Sequence, residues 1–248
     1  MDQIDVVTTA IRRPEILELA YRSYFNGGIR GLPRVRIILN IDPIGEGDTD
    51  AIIEIASRYT SELVVRQPDE SNFAAAVNWA WSHVESEYFL HLEDDWLLSR
   101  PIDFSDWIDS LQGEAYLQAV LIRKRSRKVA SPYSFRANLA KKTVIEQVGQ
   151  IPLDHNPEKF AKSRLAHDVS IDFGPERQLL DMGRKWAKAQ HARKADGSNN
   201  LRIDKETLSN GWFGARNSGF WGGLDYRRSR FIWLSKLKRY EFDRISGI

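Results

Sequence analysis

The stretch Tyr88-Phe89-Leu90-His91-Leu92-Glu93-Asp94-Asp95-Trp96 decides how this chain is read. Its first five residues form an apolar run of strand length, which passes without a break into three consecutive carboxylates. Three adjacent acids at the end of a buried strand repel one another unless a cation or hydrogen-bond donors receive them. Taken alone, an acidic run is more often a solvated turn or a helix cap. The strand leading straight into it favours a ligand site.

Toward the N-terminus the pattern alternates between strand and helix. Ile4 to Thr9 is a β-branched apolar run, followed by Arg12, Arg13 and Pro14, then by Ile16, Leu17, Leu19, Ala20 and Tyr24 at helical spacing. After Pro33, a second strand from Val35 to Ile41 ends at Asp42 and a polar loop with Gly45 and Gly47. Ala51, Ile52, Ile55, Ala56 and Tyr59 recur at helical intervals before a third strand, Leu63 to Val65. Asn72 to Val84, rich in Ala and aromatic residues, predicts a helix packed on the sheet. This alternation predicts an α/β fold with a mainly parallel central sheet flanked by helices. Open sheets of that kind place ligands at the C-terminal edge of the strands, where Glu93, Asp94 and Asp95 stand. Hard oxygen ligands there suit Mn²⁺ or Mg²⁺ bridging the phosphates of a nucleotide diphosphate.

Downstream of the acidic run, Trp107 to Leu111 predicts a helix, Tyr116 to Ile122 a strand and Arg123 to Lys128 a basic loop. Asn138 to Val148 predicts a helix closed by Gly149, and Pro175 to Met182 another that ends at Gly183. A loop rich in Gly, Asn and Ser over residues 196–223 precedes a basic amphipathic helix from Tyr226 to Ile248.

With 248 residues, the chain suffices for one sizeable core with an elaborated C-terminal part. The absence of Cys excludes disulfide frameworks, thiolate zinc sites and thiol nucleophiles. No apolar run approaches the roughly 18 residues of a spanning helix, and Asp2 and Asp5 interrupt the only short apolar stretch at the start. A cytoplasmic protein is the expectation. The net charge of +2 conceals a split: residues 1–120 hold 9 basic and 21 acidic side chains, residues 121–248 hold 27 and 13. The basic half suits an anionic partner, and a solvated surface accounts for it equally well.

These landmarks together resemble the GT-A glycosyltransferases, especially the family-2-like group, over residues 4 to 185. The resemblance implies a nucleotide-sugar-binding and catalytic core at 1–185 and a basic aromatic extension at 186–248 that packs on the core and contributes to acceptor binding. It implies a GT-A, Rossmann-like sheet and transfer of a hexosyl group from a nucleotide diphosphate sugar, a UDP-sugar before others, with Mn²⁺ or Mg²⁺. Thr8, Thr9 and Arg12 would approach the nucleotide, and Asp42 the nucleobase or ribose. Asn72 and Asn78 match the Asn-containing segment before the metal strand, and Glu93, Asp94 and Asp95 stand where the Asp-x-Asp motif belongs. In that alignment Asp95 is the direct metal ligand, Glu93 contacts the metal or ribose, and Asp94 serves the donor and catalysis. Ala140 to Gly149 and Glu176 to Gly183 resemble two later helices ending in Gly. Glu176 is then the candidate general base, with Asp168 and Asp172 as competitors and an ordinary helix N-terminal Glu as the plain explanation. His191 lies nearest to a further metal ligand of some members, among neighbours that suggest a surface site.

Arg123 and Arg125 belong to one basic cluster, and Arg227 and Arg228 to another near Trp233. Mixed cationic and aromatic surface suits a phosphate backbone and unstacked bases. A nucleic-acid acceptor, such as a hydroxylated base in DNA modified by bacteriophage enzymes, is one expectation. A saccharide or lipid-linked acceptor and plain packing on the core stand beside it. From other classes, a metal-dependent nuclease and a non-catalytic nucleic-acid-binding protein remain open. Against a nucleotidyltransferase, no Gly-rich phosphate loop with a basic partner follows the first strand.

Overall fold

The computed structural model of the chain describes residues 1–45, 47–112, 115–122, 130–174 and 178–182. In chain order the first elements are β1 (Gln3–Ile11), α1 (Pro14–Phe25), β2 (Ile29–Arg30), β3 (Arg34–Asp42), α2 (Thr49–Ser57), β4 (Glu62–Arg66), α3 (Phe73–Ser82) and β5 (Tyr88–His91). After the acidic run come β6 (Trp96–Leu98), β7 (Ile102–Asp103), α4 (Phe104–Asp109), β8 (Gln118–Leu121), β9 (Asn138–Lys141), α5 (Thr143–Val148), α6 (Pro157–Arg164), β10 (Ser170–Phe173) and β11 (Leu179–Asp181). Among them no helix is long and apolar enough to cross a membrane.

A seven-stranded sheet runs β10-β8-β9-β5-β1-β3-β4. Parallel pairing joins β1 to β3 and β5, β3 to β4, and β8 to β10. The sheet is the mainly parallel α/β sheet that the sequence predicts, and its central strands are apolar on both faces because helices cover them. Ile4, Val6 and Val7 of β1 and Ile37, Ile38 and Leu39 of β3 are fully buried. On one face α3 sets Ala74, Val77, Ala80 and Trp81 into a core shared with Phe89, Phe135, Ala140 and Val144. Helix α1 begins with Pro14 at its first turn, Glu15 toward its positive end and Arg22 in its last turn, an arrangement that suits the helix dipole.

Two predicted helices are corrected. Residues 138–141 form β9, antiparallel to both β5 and β8, and only Thr143–Val148 is helical. Leu139 and Ala140 are fully buried opposite Leu90 and Phe89, so sheet pairing overrides a local pattern that reads equally well as helix. Gly149 does close that helix, at φ 69°. The predicted helix over 175–182 is also absent where the structure can be read: Leu179–Asp181 is β11, antiparallel to β6. The expected C-terminal loop and helix, 196–248, lie outside the described residues.

At the N-terminal edge of the sheet one ion pair stitches three strands. Asp5 of β1 receives Arg36 of β3 through Nε (2.7 Å) and Nη2 (3.0 Å), and the N–H groups of Glu85 (2.6 Å) and Ser86 (2.8 Å) just before β5. Burial alone would raise the Asp5 pKa. The hydrogen bonds from Arg36, Ser86 and Glu85 and the charge of Arg36 outweigh it and hold the carboxyl below its usual range.

Because the folded pKa is depressed, this carboxylate stabilises the fold above its unfolded pKa of about 3.9, and the contribution fades as pH falls through the lower folded value. Asp5→Asn should therefore cost about 3 kcal/mol at pH 7 by urea denaturation. The gap from wild type should narrow below about pH 4; a gap that stays constant into acid would refute the ionised clamp.

Candidate donor site

The chain winds from β1 through β3 to β4 on one side and then returns to place β5 on the other side of β1. The winding reverses between β1 and β5, and open α/β sheets form their ligand crevice at such a point, beyond the C-terminal strand ends. Both strand ends deliver charge there. From β1 the backbone turns tightly, with Arg13 N–H donating to Ile11 C=O (2.7 Å), and Arg13 caps α1. From β5 it passes through Leu92 into Glu93, Asp94 and Asp95.

Arg13 and Asp94 are 2% and 3% exposed and meet as a fork. Arg13 Nε donates to Asp94 Oδ2 (2.8 Å) and Nη2 to Oδ1 (2.5 Å), while Ile11 N–H also donates to Oδ2 (3.2 Å). The same Nη2 lies 3.0 Å from Asp95 Oδ2. Burial opposes the Arg13 charge, but Asp94 and then Asp95 outweigh it, so the guanidinium stays protonated. Glu93 accepts a hydrogen bond from the Trp96 indole N–H.

One guanidinium against three carboxylates leaves an excess of negative charge. Burial, followed by repulsion from Asp95, raises the Glu93 pKa well above its ordinary value; Glu158 and Asp94 add to this. Asp95 is also raised, through burial and repulsion from Asp94 and Asp181, despite Arg13. Asp181 belongs to β11, whose next residue, Met182, donates its N–H to Asp95 C=O (2.8 Å).

The turn that carries Arg13 is held from outside by the loop after β3. Arg12 N–H donates to Ile44 C=O (2.7 Å), and Gly47 N–H to Arg12 C=O (3.1 Å). A Cβ on Gly47 would stand 2.6 Å from Arg12 O and 2.5 Å from Pro14 Cδ, so only glycine allows this approach.

Asp42, at the end of β3, lies on the other side of β1 from the acidic run in the strand order. Asn40 Nδ2 donates to its Oδ1 (2.7 Å), and Arg66 Nη1 reaches Asn40 Oδ1 (3.3 Å) and Ala75 C=O (3.0 Å). Burial raises the Asp42 pKa, against the Asn40 amide, the Arg66 charge and the Asn72 N–H.

Three of the residues expected at the donor, Thr8, Asn72 and Asn78, make contacts within the scaffold. Thr8 is fully buried, and its hydroxyl accepts that of Tyr21 (2.9 Å). Asn72 caps α3 by accepting Ala75 N–H (2.9 Å) and donates to Leu153 C=O (3.1 Å). Both functions of the Asn78 amide are spent on the Ile151 backbone, at 2.7 and 3.0 Å. Asp94, expected in donor binding and catalysis, is held by the Arg13 fork. Thr9 is half-buried on β1, Asp168 is exposed, and Asp172 lies on β10. Glu176, Arg123, Arg125, His191, Arg227, Arg228 and Trp233 lie outside the described residues. Sequence reasoning missed Arg13 as the partner of the acidic run, and also Asp181. An Arg two residues beyond the end of β1 was a visible signal, but nothing local distinguishes Arg13 from Arg12.

The residues left over fit a hard divalent cation. Glu93 and Asp95 offer carboxylate oxygens at the crevice, and Mg²⁺-like ions use one or two carboxylates and complete their shell with phosphate oxygens and water. No group of three or more metal-ligating side chains converges among the described residues.

The fold is that of a GT-A-like α/β protein. Solved structures similar in fold include the mannosyltransferase PcManGT from Pyrobaculum calidifontis in complex with GDP-Man and Mn²⁺, with a TM-score of 0.58 at 14% identity over 76% of this chain and 61% of that one. TarS residues 1–349 from S. aureus match with a TM-score of 0.54 at 12% identity, again over 76% and 61%, and TarS has also been solved with UDP and with UDP-GlcNAc. HddC from Yersinia pseudotuberculosis matches at 0.52 and 15% over 73% of this chain and 94% of its own. The chain thus spans about 61% of the length of the first two structures. At these identities the likeness establishes the fold. No protein-family model and no curated protein sequence matches the chain.

Arg13→Lys and Asp94→Asn should each cost about 3 kcal/mol in urea denaturation, since each leaves a buried charge without its fork. The double substitution should cost at least about 1 kcal/mol less than the sum of the two; simple additivity would show that the pair does not act as a unit.

Proposed function

We propose that this chain is a metal-assisted glycosyltransferase that moves a hexosyl group from a nucleotide diphosphate sugar to an acceptor hydroxyl. The observation that carries this reading is the placement of Glu93 and Asp95 at the winding reversal, with Asp42 ending the strand on the far side of β1. Asp42, with Arg66 near it, serves the nucleoside, while Thr9 and Arg12 lie along the approach to the phosphates. Glu93 and Asp95 would hold Mn²⁺ or Mg²⁺, which would supply positive charge to offset the negative charge developing on the departing diphosphate. Asp94, locked by Arg13, keeps the two ligand carboxylates in place.

Glu176 is the proposed base. It accepts the proton of the acceptor hydroxyl as that oxygen bonds to the anomeric carbon and the bond from that carbon to the diphosphate oxygen breaks. The donor nucleotide proposed first is UDP. Nucleic acid bearing a hydroxylated base is the proposed acceptor, supported by the basic excess of residues 121–248 and by Arg123, Arg125, Arg227, Arg228 and Trp233 within them. A saccharide or lipid-linked acceptor is the outcome to be separated from it by assaying transfer to each.

Calorimetric titration with UDP, GDP and their sugar conjugates, with and without Mn²⁺, tests the reading. Binding of one nucleotide should require Mn²⁺ and be lost in Asp95→Ala. Because the raised pKa values of Glu93 and Asp95 favour their neutral forms, Mn²⁺ affinity should increase as pH rises and the carboxyls lose protons. Metal-dependent DNA cleavage with no nucleotide binding would replace this reading with a nuclease.

A further inference from the structure

On the face covered by α3, the apolar interior of the sheet ends at a polar row. Val7, Ile38 and Val64 stand in register on β1, β3 and β4 and pack in the core together with α3. Two residues further along each strand, on the same face, come Thr9, Asn40 and Arg66, again in register. Thr9 and Arg66 are half-buried, but Asn40, in the middle strand, is 0% exposed. A buried amide is unfavourable unless its functions are bonded, and Val or Ile would suit a central strand better. Asn40 has both functions bonded: its Oδ1 accepts Arg66 Nη1 (3.3 Å), and its Nδ2 donates to Asp42 Oδ1 (2.7 Å).

These bonds run in one direction. A guanidinium only donates, so Arg66, anchored also on Ala75 C=O (3.0 Å), holds Oδ1 toward itself and leaves Nδ2 for Asp42. Asp42 ends β3, two residues beyond Asn40 on the same face, and is 6% exposed. We infer that Asn40 is a positioning residue for the nucleoside: clamped by Arg66, its amide donates to Asp42 and keeps that carboxylate an acceptor for an N–H or O–H of the nucleoside. A carboxylate has about four lone-pair positions, so the Asn40 bond leaves capacity for the ligand. Burial raises the Asp42 pKa, while the Asn40 amide, the charge of Arg66 from β4 and the Asn72 N–H at the start of α3 oppose the rise. From β1 its register partner is the uncharged Ile11. Without the Asn40 donor the Asp42 pKa climbs further, and the protonated acid then replaces the acceptor in mild acid. This inference rests on the nucleoside part of the reading above, and the candidate metal ligands take no part in it.

The test compares full-length wild type with Asn40→Val, whose β-branched side chain suits a buried strand. The nucleotide that wild type binds, UDP before GDP, is titrated at saturating Mn²⁺ from mildly acidic to mildly alkaline pH. Because the two proteins share Glu93 and Asp95, the ratio of their affinities at each pH reports Asp42. Asn40→Val should bind roughly 10-fold more weakly in mild acid, the ratio that a rise of about one unit in the Asp42 pKa produces, and the gap should narrow as pH rises. In protein labelled with ¹³C at aspartate Cγ, the resonance missing from Asp42→Asn should titrate about one pH unit higher in Asn40→Val than in wild type. Mn²⁺ affinity without nucleotide, read as free Mn²⁺ by electron paramagnetic resonance, should be the same in both. Equal nucleotide affinity at every pH overturns the inference, as does a deficit that stays constant with pH, an unmoved Asp42 midpoint, or a matching loss of Mn²⁺ affinity. Should Asn40→Val fail to fold, Asn40→Asp, which keeps an acceptor for Arg66 but sets a second carboxylate against Asp42, carries the same expectations. If wild type binds neither UDP nor GDP, the donor reading fails and this inference with it. If wild type binds one of them and Asn40→Val binds it equally, the inference alone fails.

Discussion

The contact between Arg13 and Asp94 is the constraint on which the candidate site depends. It joins the end of β1, the start of α1 and the acidic run after β5 in one buried fork, with Ile11 N–H as a further donor. Burying two charges costs several kcal/mol per ion before pairing, so the fork specifies an arrangement more than it adds net stability. Its consequence is a division of labour among three adjacent carboxylates. The middle one is consumed by the scaffold, and its neighbours are left with surplus negative charge beside the crevice.

The two ends of the sheet use the same chemistry with opposite results. At the N-terminal edge, one carboxylate, Asp5, meets the Arg36 guanidinium and two backbone N–H groups, and its pKa falls. At the C-terminal edge, one guanidinium serves both Asp94 and Asp95, the Glu93 side chain accepts the Trp96 indole N–H, and the pKa values of Glu93 and Asp95 rise. Burial raises all three carboxyls; at Asp5 the donors outweigh it, and at Glu93 and Asp95 they do not.

The later strands bring further residues to the acidic run, through the main sheet and through the separate β11-β6 pair. β9 runs against β5 and β8, and β11 returns to β6, so that Met182 is hydrogen-bonded to the Asp95 backbone and Asp181 comes within electrostatic range of its carboxyl. Gln178 reinforces this return: its side chain accepts Ile122 N–H (2.9 Å) and its carbonyl accepts Ser99 N–H (2.6 Å). Residues more than 80 positions apart thereby meet at the acidic run.

Taken by itself, the sequence determined the first four central strands, the helices between them and the position of the acidic run. Apolar periodicity, caps and breakers are local signals, and from Ile4 to Asp95 they agree with the tertiary outcome. Beyond Pro101 the signals are short and ambiguous, and only strand pairing decided that residues 138–141 and 179–181 are extended. The contacts of the candidate site residues were likewise decided by the tertiary structure. Nothing in three consecutive acids says that Asp94 is the structural one, nothing in Arg12-Arg13 says which side chain turns inward, and nothing in Asn78 announces that its amide is spent on Ile151. Those assignments depend on which partners the folded chain brings within hydrogen-bond distance, and that is a property of contacts far apart in the chain.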